Sequence, residues 1–405
     1  MRLTFCLLLM FCPALQLSTA SADIWKRHTI DQSSRGADGV RLADANGDGR
    51  MDVATGWEQG GVVRVYLNPG PAASRDKWPA VTVGEVQTPE DAVFVDLDGD
   101  GALDVVSSCE GSTKTMYVHW APSDPRKYLV QNAWKTEPIP CTQGQQMWMF
   151  ALPMQVDGEG GVDLIAGSKG TGATVGWLQS PQSSRDLSQW KFHPLYQAGW
   201  TMSLVPFDVD GDGDDDVVVS DLKGTNHSVL WLENPGAQAA LAGEKWQEHR
   251  IGAAGFDVMF LTMVDFDDDK LTDVVATTLK GEIVFFRRTS RSPVAWESHS
   301  IKNPFGARKG KAVRFADINL DGKLDLVHTT NLLEEERRKL SAVAWMSYHK
   351  SVTDRVWDAH DISGKLGLKY DLIQLLDLDD DGDLDVLTCE ERDNLGVFWY
   401  ENPTR

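Results

Sequence analysis

Short segments of alternating apolar and polar residues recur along the whole chain, and turns rich in Gly, Asp and Asn separate them. One kind of segment is centred on an aromatic residue and often ends in Asn-Pro, as in 229–235 (VLWLENP). Another begins with Trp and has the form W-x-x-[H]-x-[IVL], as in 25–30 (WKRHTI). Short runs with this alternation are typical of strands that have one buried face. The pattern therefore predicts an all-β chain of many short strands.

Both kinds of segment occur seven times. The Trp segments start at Trp25, Trp78, Trp134, Trp190, Trp246, Trp296 and Trp357. The aromatic strands are centred on Tyr66, Trp120, Trp177, Trp231, Phe285, Trp345 and Trp399. Four short strands in a unit of 50 to 60 residues are typical of a propeller blade. The sequence therefore predicts a seven-bladed β-propeller with four-stranded blades over residues 23–405.

The two ends of the chain complement each other. The chain starts with a Trp strand (25–30) and ends on an aromatic strand (397–400), so the last blade lacks its outermost strand. Pairing the two ends would close the ring and leave no terminal edge exposed. We therefore expect the N-terminal strand to complete the C-terminal blade.

A third repeated element is an acidic turn of the form D-x-D-x-D-G-x-x-D between two strands of each unit. We number its copies in chain order as loop 1 (44–52), loop 2 (96–104), loop 3 (155–163), loop 4 (208–216), loop 5 (265–273), loop 6 (317–325) and loop 7 (377–385). Ca²⁺ takes six to eight hard oxygen ligands, and an EF-hand, which would also need a Glu at position 12, does not fit this spacing. Gly at position 6 permits the positive φ of a sharp turn. The sequence predicts about six structural calcium sites.

Side chains at positions 1, 3, 5 and 9 and the carbonyl of position 7 would supply the ligands. Loop 3 has lost its first carboxylate to Gln155, and loop 5 has Lys270 in place of Gly, so these are the least regular copies. The predicted ligand residues are Asp44, Asn46, Asp48, Arg50, Asp52, Asp96, Asp98, Asp100, Ala102, Asp104, Asp208, Asp210, Asp212, Asp214, Asp216, Asp265, Asp267, Asp269, Leu271, Asp273, Asp317, Asn319, Asp321, Lys323, Asp325, Asp377, Asp379, Asp381, Asp383 and Asp385.

These motifs resemble the FG-GAP/VCBS repeat family, whose propellers also occur in integrin α subunits. The resemblance covers essentially the whole chain after residue 22 and implies a calcium-binding propeller; it implies fold more strongly than activity. The run 231–236 (WLENPG) with the following Trp246 and His249 is also similar to the propeller repeats of fungal aldos-2-ulose dehydratases. Those are repeat-building residues, so they imply no catalytic role.

The N-terminus has the pattern of an export signal. Arg2 precedes an apolar run (3–17) that is too short to span a bilayer, and small residues follow up to Ala22. We expect residues 1–22 to be a cleaved signal peptide and the mature protein to be secreted or periplasmic. Three cysteines would remain, Cys109, Cys141 and Cys389, which allows at most one internal disulfide.

The net charge of −21 does not identify a partner. The ligand positions of the seven loops together hold more carboxylates than this net charge, and bound calcium would offset them. We expect a monomer that neither binds nucleic acid nor inserts into a membrane.

Residues outside the repeat pattern are the candidates for function. Five histidines occupy one repeat position and are interpreted as structural, whereas His328 replaces a small or apolar residue of its repeat position. Three tryptophans, Trp57, Trp148 and Trp200, belong to neither Trp motif. All three map to the face opposite the acidic loops, where exposed rings could stack on sugars or could simply pack under a loop.

The same face carries charged residues. Arg308, Lys309 and Lys311 form a basic cluster that would suit an anionic group, and 331–340 (NLLEEERRKL) is a charged insertion. Further charges end the second strands around the rim, namely Glu58, Glu110, Lys169, Asp221, Glu390 and Arg392.

Three functions are compatible with these residues. The leading hypothesis is a binding module, directed at a glycan or another extracellular ligand, that uses the three tryptophans and the basic cluster. The first alternative is a sugar-active lyase or dehydratase, with His328 or Tyr370 as base and Arg308 or Lys311 as cation. The second alternative is an adhesion or scaffold protein. The sequence carries no nucleophile motif, phosphate loop or zinc-ligand spacing.

Overall fold

A computed structural model describes residues 24–405 except 226, 305, 307, 308, 337 and 338. The predicted signal peptide therefore lies outside the described residues. The chain forms seven four-stranded antiparallel sheets, which confirms the predicted propeller. We number the blades by their innermost strands, which follow the N-terminal strand β1 (Lys26–Asp31).

From the innermost strand outward, blade 1 contains β2 (Ala37–Ala43), β3 (Asp52–Trp57), β4 (Val62–Tyr66) and β5 (Ala80–Glu85). Blade 2 contains β6 (Pro89–Val95), β7 (Asp104–Cys109), β8 (Thr115–Trp120) and β9 (Lys135–Pro138). Blade 3 contains β10 (Met147–Pro153), β11 (Leu164–Lys169), β12 (Thr174–Gln179) and β13 (Lys191–Gln197). Blades 4 to 6 contain β14 (Thr201–Phe207), β15 (Asp216–Asp221), β16 (Val229–Glu233) and β17 (Gln247–Gly252); β18 (Val258–Val264), β19 (Asp273–Thr278), β20 (Glu282–Arg291) and β21 (Val294–Lys302); and β22 (Gly310–Ala316), β23 (Asp325–Thr330), β24 (Val343–Ser347) and β25 (Asp358–Asp361). Blade 7 contains β26 (Tyr370–Leu376), β27 (Asp385–Glu390), β28 (Gly396–Glu401) and β1. One short α-helix, α1 (Ala237–Leu241), and four 3₁₀ turns (Pro125–Lys127, Gln131–Ala133, Pro140–Thr142 and Leu187–Gln189) lie in the connections of the described chain.

The second strand of each blade is its core. In blades 1, 2, 4, 5, 6 and 7 every residue of this strand is buried. Such strands lie between two neighbours of their own sheet and are covered on both faces by the adjacent blades, which explains their nearly continuous run of Val, Ala, Thr and Ser. Packing between sheets therefore holds the ring together.

The N-terminal strand closes the ring. β1 pairs antiparallel with β28, and His28 lies opposite Trp399. Nε2 of His28 lies 2.5 Å from a carboxylate oxygen of Glu401 on the same strand pair. Ile30 of β1 is 1% exposed. The last blade is thus completed by the first strand, as the sequence predicts.

The repeated histidine has a structural partner. In blades 3 to 7 its ring stacks on the aromatic ring of the neighbouring strand, with ring centroids 3.8 to 4.8 Å apart. The stacked pairs are His193 with Trp177, His249 with Trp231, His299 with Phe285, His360 with Trp345 and His28 with Trp399. The histidine and the aromatic residue are therefore two halves of one cross-strand contact.

The predicted strand centres of blades 1 and 2 are wrong by one or two residues. In blade 4 the stacking residue Trp231 pairs with the second residue after the last aspartate of the acidic loop. The residues with the same pairing are Val65 in blade 1 and Val118 in blade 2. Neither blade has the histidine. The aromatic residues that marked these strands, Tyr66 and Trp120, lie one and two positions further along the strand.

The three cysteines of the described chain are free thiols, two of them buried. Within the described residues, none of the helices has the length and apolar character needed to cross a bilayer.

Candidate functional site

The acidic loops all lie at one end of the propeller, because each joins the innermost strand of a blade to the second strand. Position 9 of each loop is the first buried residue after the turn. In loop 1 this residue is Asp52, whose two carboxylate oxygens accept the N–H groups of Ala45, at 2.9 Å, and Asn68, at 2.7 Å. One carboxylate thus ties the loop to the end of the third strand.

The same arrangement recurs around the ring. In every loop the position-9 carboxylate accepts the N–H of loop position 2, and in six of the seven it also accepts a second backbone N–H. In five loops the second donor lies just beyond the third strand, and in loop 5 it is Arg288 within β20. The seven residues are Asp52, Asp104, Asp163, Asp216, Asp273, Asp325 and Asp385, each no more than 1% exposed.

Burial of these carboxylates without a positive partner raises their pKa. It reaches about 6 for Asp52, about 7 for Asp216 and about 8 for Asp385, because desolvation outweighs the two N–H groups that favour the charged form. The neighbouring loop carboxylates add to the increase. In the absence of a cation the loops therefore hold more negative charge than their surroundings stabilise.

The other loop oxygens converge on the same turn. In loop 4, the position-1 carboxylate of Asp208 accepts the N–H groups of Gly211 and Gly213, and Asp212 accepts that of Asp214. In loops 2, 4 and 5, three carboxylates offer oxygens that all lie within 4.8 Å of one another. Clustered hard oxygens on a turn of this kind fit a calcium ion, and the residues are those that the sequence predicts.

Three loops have an arginine at their third-position carboxylate. Arg185 of blade 3 lies 2.5 Å from Asp98 of loop 2, and Arg75 of blade 1 lies 2.5 Å from Asp379 of loop 7. In loop 5 the arginine is Arg287, which contacts Asp267. A guanidinium at this position offsets one of the four carboxylates at positions 1, 3, 5 and 9, whereas loops 1 and 6 have Asn at position 3 and only three such carboxylates.

Lys270 stands at position 6 of loop 5, where the other loops have glycine, and its backbone has the same left-handed conformation. Its φ is +71°, in the left-handed region that the position-6 glycines occupy elsewhere. The conformation costs an L-residue about 1 kcal/mol or more. Loop 5 therefore keeps the geometry of the other loops at a cost in stability.

The opposite end of the propeller carries a second charged group of residues, which we call the mouth. It is formed by the first residues of innermost strands and the last residues of second strands, or residues next to them. Its members are Asp38, Glu58, Glu90, Glu110, Lys169, Lys311, Lys369, Asp371 and Glu391. Six carboxylates thus face three ammonium groups.

Glu58 joins the two halves of the mouth. Its carboxylate lies within 4.8 Å of Asp38 and Glu391 on one side, and of Glu90 and Glu110 on the other. Lys369 forms ion pairs in one half and Lys169 in the other.

Lys369 serves one half. Its Nζ contacts Glu391 and lies 3.6 Å from Asp38 and 3.8 Å from Asp371. Lys169 serves the other half, contacts Glu110 and lies 3.6 Å from Glu90. Lys311 contacts Asp371.

Protonation in the mouth is set by burial and by this imbalance of charge. Burial raises the pKa of Asp38 well above its usual value, and the neighbouring charge of Asp371 raises it further. Burial also raises the pKa of Glu90. For Asp371 the effect of burial is overcome by Lys311 and Lys369, which lower its pKa. The mouth is therefore a partly desolvated, net acidic site.

Below the mouth the channel is filled by side chains. Phe150 of blade 3 packs edge-on against Phe260 of blade 5, with ring centroids 5.8 Å apart, and Arg41 of blade 1 lies over Phe150. Contacts between blades that are not neighbours in the ring cross its axis. The mouth is therefore the upper end of a filled channel.

Two of the predicted ligand-binding tryptophans are core residues. Trp57 and Trp148 are fully buried, and their indole N–H groups donate to Tyr66 Oη at 2.9 Å and to the carbonyl of Thr142 at 3.1 Å. The expectation that they expose a stacking face is therefore wrong. Trp200 is partly exposed beside the mouth, with the Nζ atoms of Lys169 and Lys223 at 4.7 and 4.5 Å from its ring centroid.

The predicted catalytic candidates do not form a site. His328 is 1% exposed, and burial lowers its pKa to about 4, so it is neutral. Tyr370 is fully buried, and its hydroxyl lies within hydrogen-bond distance of Leu366 O and Tyr400 Oη. The arrangement gives neither residue access to a substrate.

The structure describes two residues of the predicted basic cluster, Lys309 and Lys311. Arg308 lies outside the described residues, and Lys309 precedes β22 with its carbonyl bonded to the N–H of Asn331. Lys311 belongs to the mouth, where Asp371 neutralises it. For Lys311 the expectation of a site for an anionic group is therefore corrected to a mixed site with an excess of acid.

Sequence reasoning missed five of the mouth residues. Asp38, Glu90 and Asp371 each stand second in an innermost strand, where most neighbouring residues are apolar, and that break in the pattern was the available signal. Lys369 and Glu391 lie in connections without any repeat signal. Glu58, Glu110 and Lys169 were identified only as rim charges.

The fold and the loops agree with a known family. The FG-GAP-like repeat matches residues 44–107, 155–219 and 225–328, which is more than half of the chain. The chain therefore belongs to the FG-GAP repeat family. A search of the curated proteins finds no significant relative.

Solved propellers resemble the chain in fold alone. The BBS1N structure from its complex with ARL6DN aligns with a TM-score of 0.53 and 9% identity over 94% of this chain and 97% of that one. The Cps50 (Swd1) β-propeller domain of Myceliophteria thermophila aligns with a TM-score of 0.55 and 10% identity over 93% and 99%. Sqt1 of Saccharomyces cerevisiae aligns with a TM-score of 0.52 and 10% identity over 94% and 99%.

Replacement of Lys369 by Met tests the charge balance of the mouth. The substitution leaves Asp38, Asp371 and Glu391 without their shared cation, and we expect it to lower the free energy of unfolding by about 3 kcal/mol near neutral pH. Carboxyl groups with a raised folded pKa bind more protons in the folded than in the unfolded state, so the loss should shrink as the pH falls. Urea unfolding at several pH values measures both effects.

Lys365→Met is the matched control, since Lys365 is exposed four residues earlier. It should change stability by less than about 0.5 kcal/mol. An equal, pH-independent loss in both variants would contradict the charge assignment.

Proposed function

We propose that the chain is an exported, calcium-stabilised propeller that binds a polyhydroxylated ligand, such as a glycan, at its mouth. The observation that carries the calcium proposal is the set of buried position-9 carboxylates, which accept backbone N–H groups and form no ion pair with a lysine or arginine of the described residues. A metal bound there would supply the missing positive charge and stabilise the folded state by mass action. The export proposal rests on the N-terminal sequence and is compatible with structural calcium, since extracellular modules work with weak calcium sites.

The ligand proposal rests on the composition of the mouth. Sugar hydroxyl groups both donate and accept hydrogen bonds, and a site with carboxylates and ammonium groups side by side offers partners for both. Glu58 is the central candidate because it joins the two carboxylate triads and is partly exposed. The interaction would run through hydroxyl groups, because two of the three candidate tryptophans have no exposed face. Trp200 alone could add contact area beside Lys169.

The alternatives receive less support. An elimination would need a base with access to substrate, and the burial of His328 and Tyr370 argues against both candidates. No feature of the described surface favours adhesion over binding of a small ligand.

Removal of calcium tests the first half of the proposal. At about pH 8, chelation by EDTA should lower the melting temperature by about 10 °C or more, because several sites lose their stabilising ion together. Without metal, the raised folded pKa of the position-9 carboxyls makes stability fall as the pH rises through about 6 to 8. At about pH 5 these groups carry protons in the folded state, so EDTA should change the melting temperature much less.

Asp208→Asn removes the charge at position 1 of loop 4, which is Asp in all six predicted sites, and should reduce the effect of EDTA. Asp76→Asn, at an exposed residue outside the loops, should leave it unchanged. A melting temperature that does not respond to EDTA at either pH would reject the calcium proposal.

A glycan array read with the calcium-loaded protein tests the second half. Glu58→Gln keeps the size of the side chain and removes its charge, so binding to the glycans that the wild type retains should weaken by about tenfold. Glu248→Gln, at an exposed residue of the outer strand β17, is the control and should bind as the wild type does. Binding of the wild type to none of the glycans would reject a carbohydrate ligand.

A further inference from the structure

Loop 3 is held closed by side-chain amides. In the other six loops an aspartate at position 1 accepts two backbone N–H groups through its two oxygens. Position 1 of loop 3 is Gln155, whose Oε1 accepts the N–H of Gly158 at 3.1 Å. Its Nε2 donates to the carbonyl of Gly161 at 2.7 Å and to that of Glu159 at 3.3 Å. The second oxygen of the usual aspartate is thus replaced by a donor.

The carbonyl of Gly161 is the important acceptor. Gly161 stands at position 7 of the loop, whose carbonyl is the backbone ligand expected for a bound cation. In loop 3 the amide N–H of Gln155 already occupies that carbonyl. The carbonyl oxygen that would coordinate the ion therefore already accepts a hydrogen bond from a side chain of the same loop.

A second amide acts on the third position of the same loop. Nε2 of Gln179 donates to the carboxylate of Asp157 at 2.7 Å. Gln179 is itself held by His193, whose Nε2 lies 3.1 Å from its Oε1, and His193 stacks on Trp177. The donor is therefore fixed to the repeated core contact of blade 3.

Blade 4 is the natural comparison. Glu233 occupies there the place of Gln179, since each lies two residues after the aromatic residue that stacks on the histidine, and its carboxylate contacts His249. Position 1 is Asp208. At these two positions blade 3 has an amide where blade 4 has a carboxylate, and both amides place an N–H donor on a loop acceptor.

We propose that loop 3 is a self-closed turn that binds no cation, in which the amides of Gln155 and Gln179 do the work that calcium does in the other six loops. The comparison with the other loops rests on the calcium proposal above, whereas the closure of loop 3 by amides does not. A protein with this arrangement binds six calcium ions and keeps one loop ordered when the metal is withdrawn.

Hydrogen exchange of the full chain, followed by mass spectrometry of peptides, tests this inference with and without EDTA. The peptide that covers 155–163 should exchange at the same rate in both conditions, whereas the peptide that covers 208–216 should exchange faster in EDTA. Gln155→Ala removes the closing amide and should speed exchange of 155–163 by roughly tenfold even in EDTA. Gln32→Ala, whose amide bonds the carbonyl of Asn394 at the surface, is the control and should leave this peptide unchanged.

Replacement of both amides by the carboxylates of blade 4 should give the opposite result. Gln155→Asp combined with Gln179→Glu should make exchange of 155–163 sensitive to EDTA and should add one calcium ion in native mass spectrometry, from six to seven. If exchange of wild-type 155–163 responds to EDTA as 208–216 does, or if Gln155→Ala leaves its rate unchanged, the self-closed loop is wrong. If 208–216 does not respond and Gln155→Ala still opens 155–163, the calcium proposal fails and amide closure stands.

Discussion

The structure depends on one buried carboxylate in each blade, the aspartate at position 9 of the acidic loop. It accepts the N–H of the second loop residue with one oxygen, and in six blades its other oxygen accepts an N–H from the third strand or from a residue just beyond it. In these six blades a single group therefore fixes the loop, the second strand and the third strand relative to one another. Burial disfavours the charged form of this carboxyl group and raises its pKa, and no lysine or arginine of the described residues forms an ion pair with it. This conflict is the physical reason to expect a metal at the loops.

The two ends of the propeller handle their acidic residues differently. At the loop end, backbone N–H groups, three arginines and, in loop 3, two amides organise the carboxylates around closed turns. At the mouth, lysines pair with only part of the carboxylates, and the charged residues occupy equivalent strand positions in some blades but not in others. The loop end is thus a repeated structural feature, whereas the charged residues of the mouth differ from blade to blade. A site that the repeat does not explain is the better candidate for a specific ligand.

The fold was predictable because its determinants are local and occur many times. The Trp strand, the aromatic strand and the acidic loop each lie within one short segment, so their order alone predicts blades, ring closure and loop geometry. The mouth was not predictable in the same way, since Asp38, Glu58 and Glu391 come from distant segments and meet only through the closure of the ring. Trp57 and Trp148 were misjudged because a residue outside the repeat pattern can fill the core as well as the surface. His328 and Tyr370 fail as catalytic candidates for the same reason.

The central claim is that cations occupy the acidic loops and are held at the position-9 carboxylates. The most direct test is a crystal of the protein grown with calcium and measured at a wavelength where calcium scatters anomalously. The account predicts anomalous peaks in the loops that start at Asp44, Asp96, Asp208, Asp265, Asp317 and Asp377, each within bonding distance of its position-9 carboxylate, and none in the loop of Gln155. Loops without anomalous peaks in a calcium-saturated crystal would contradict it.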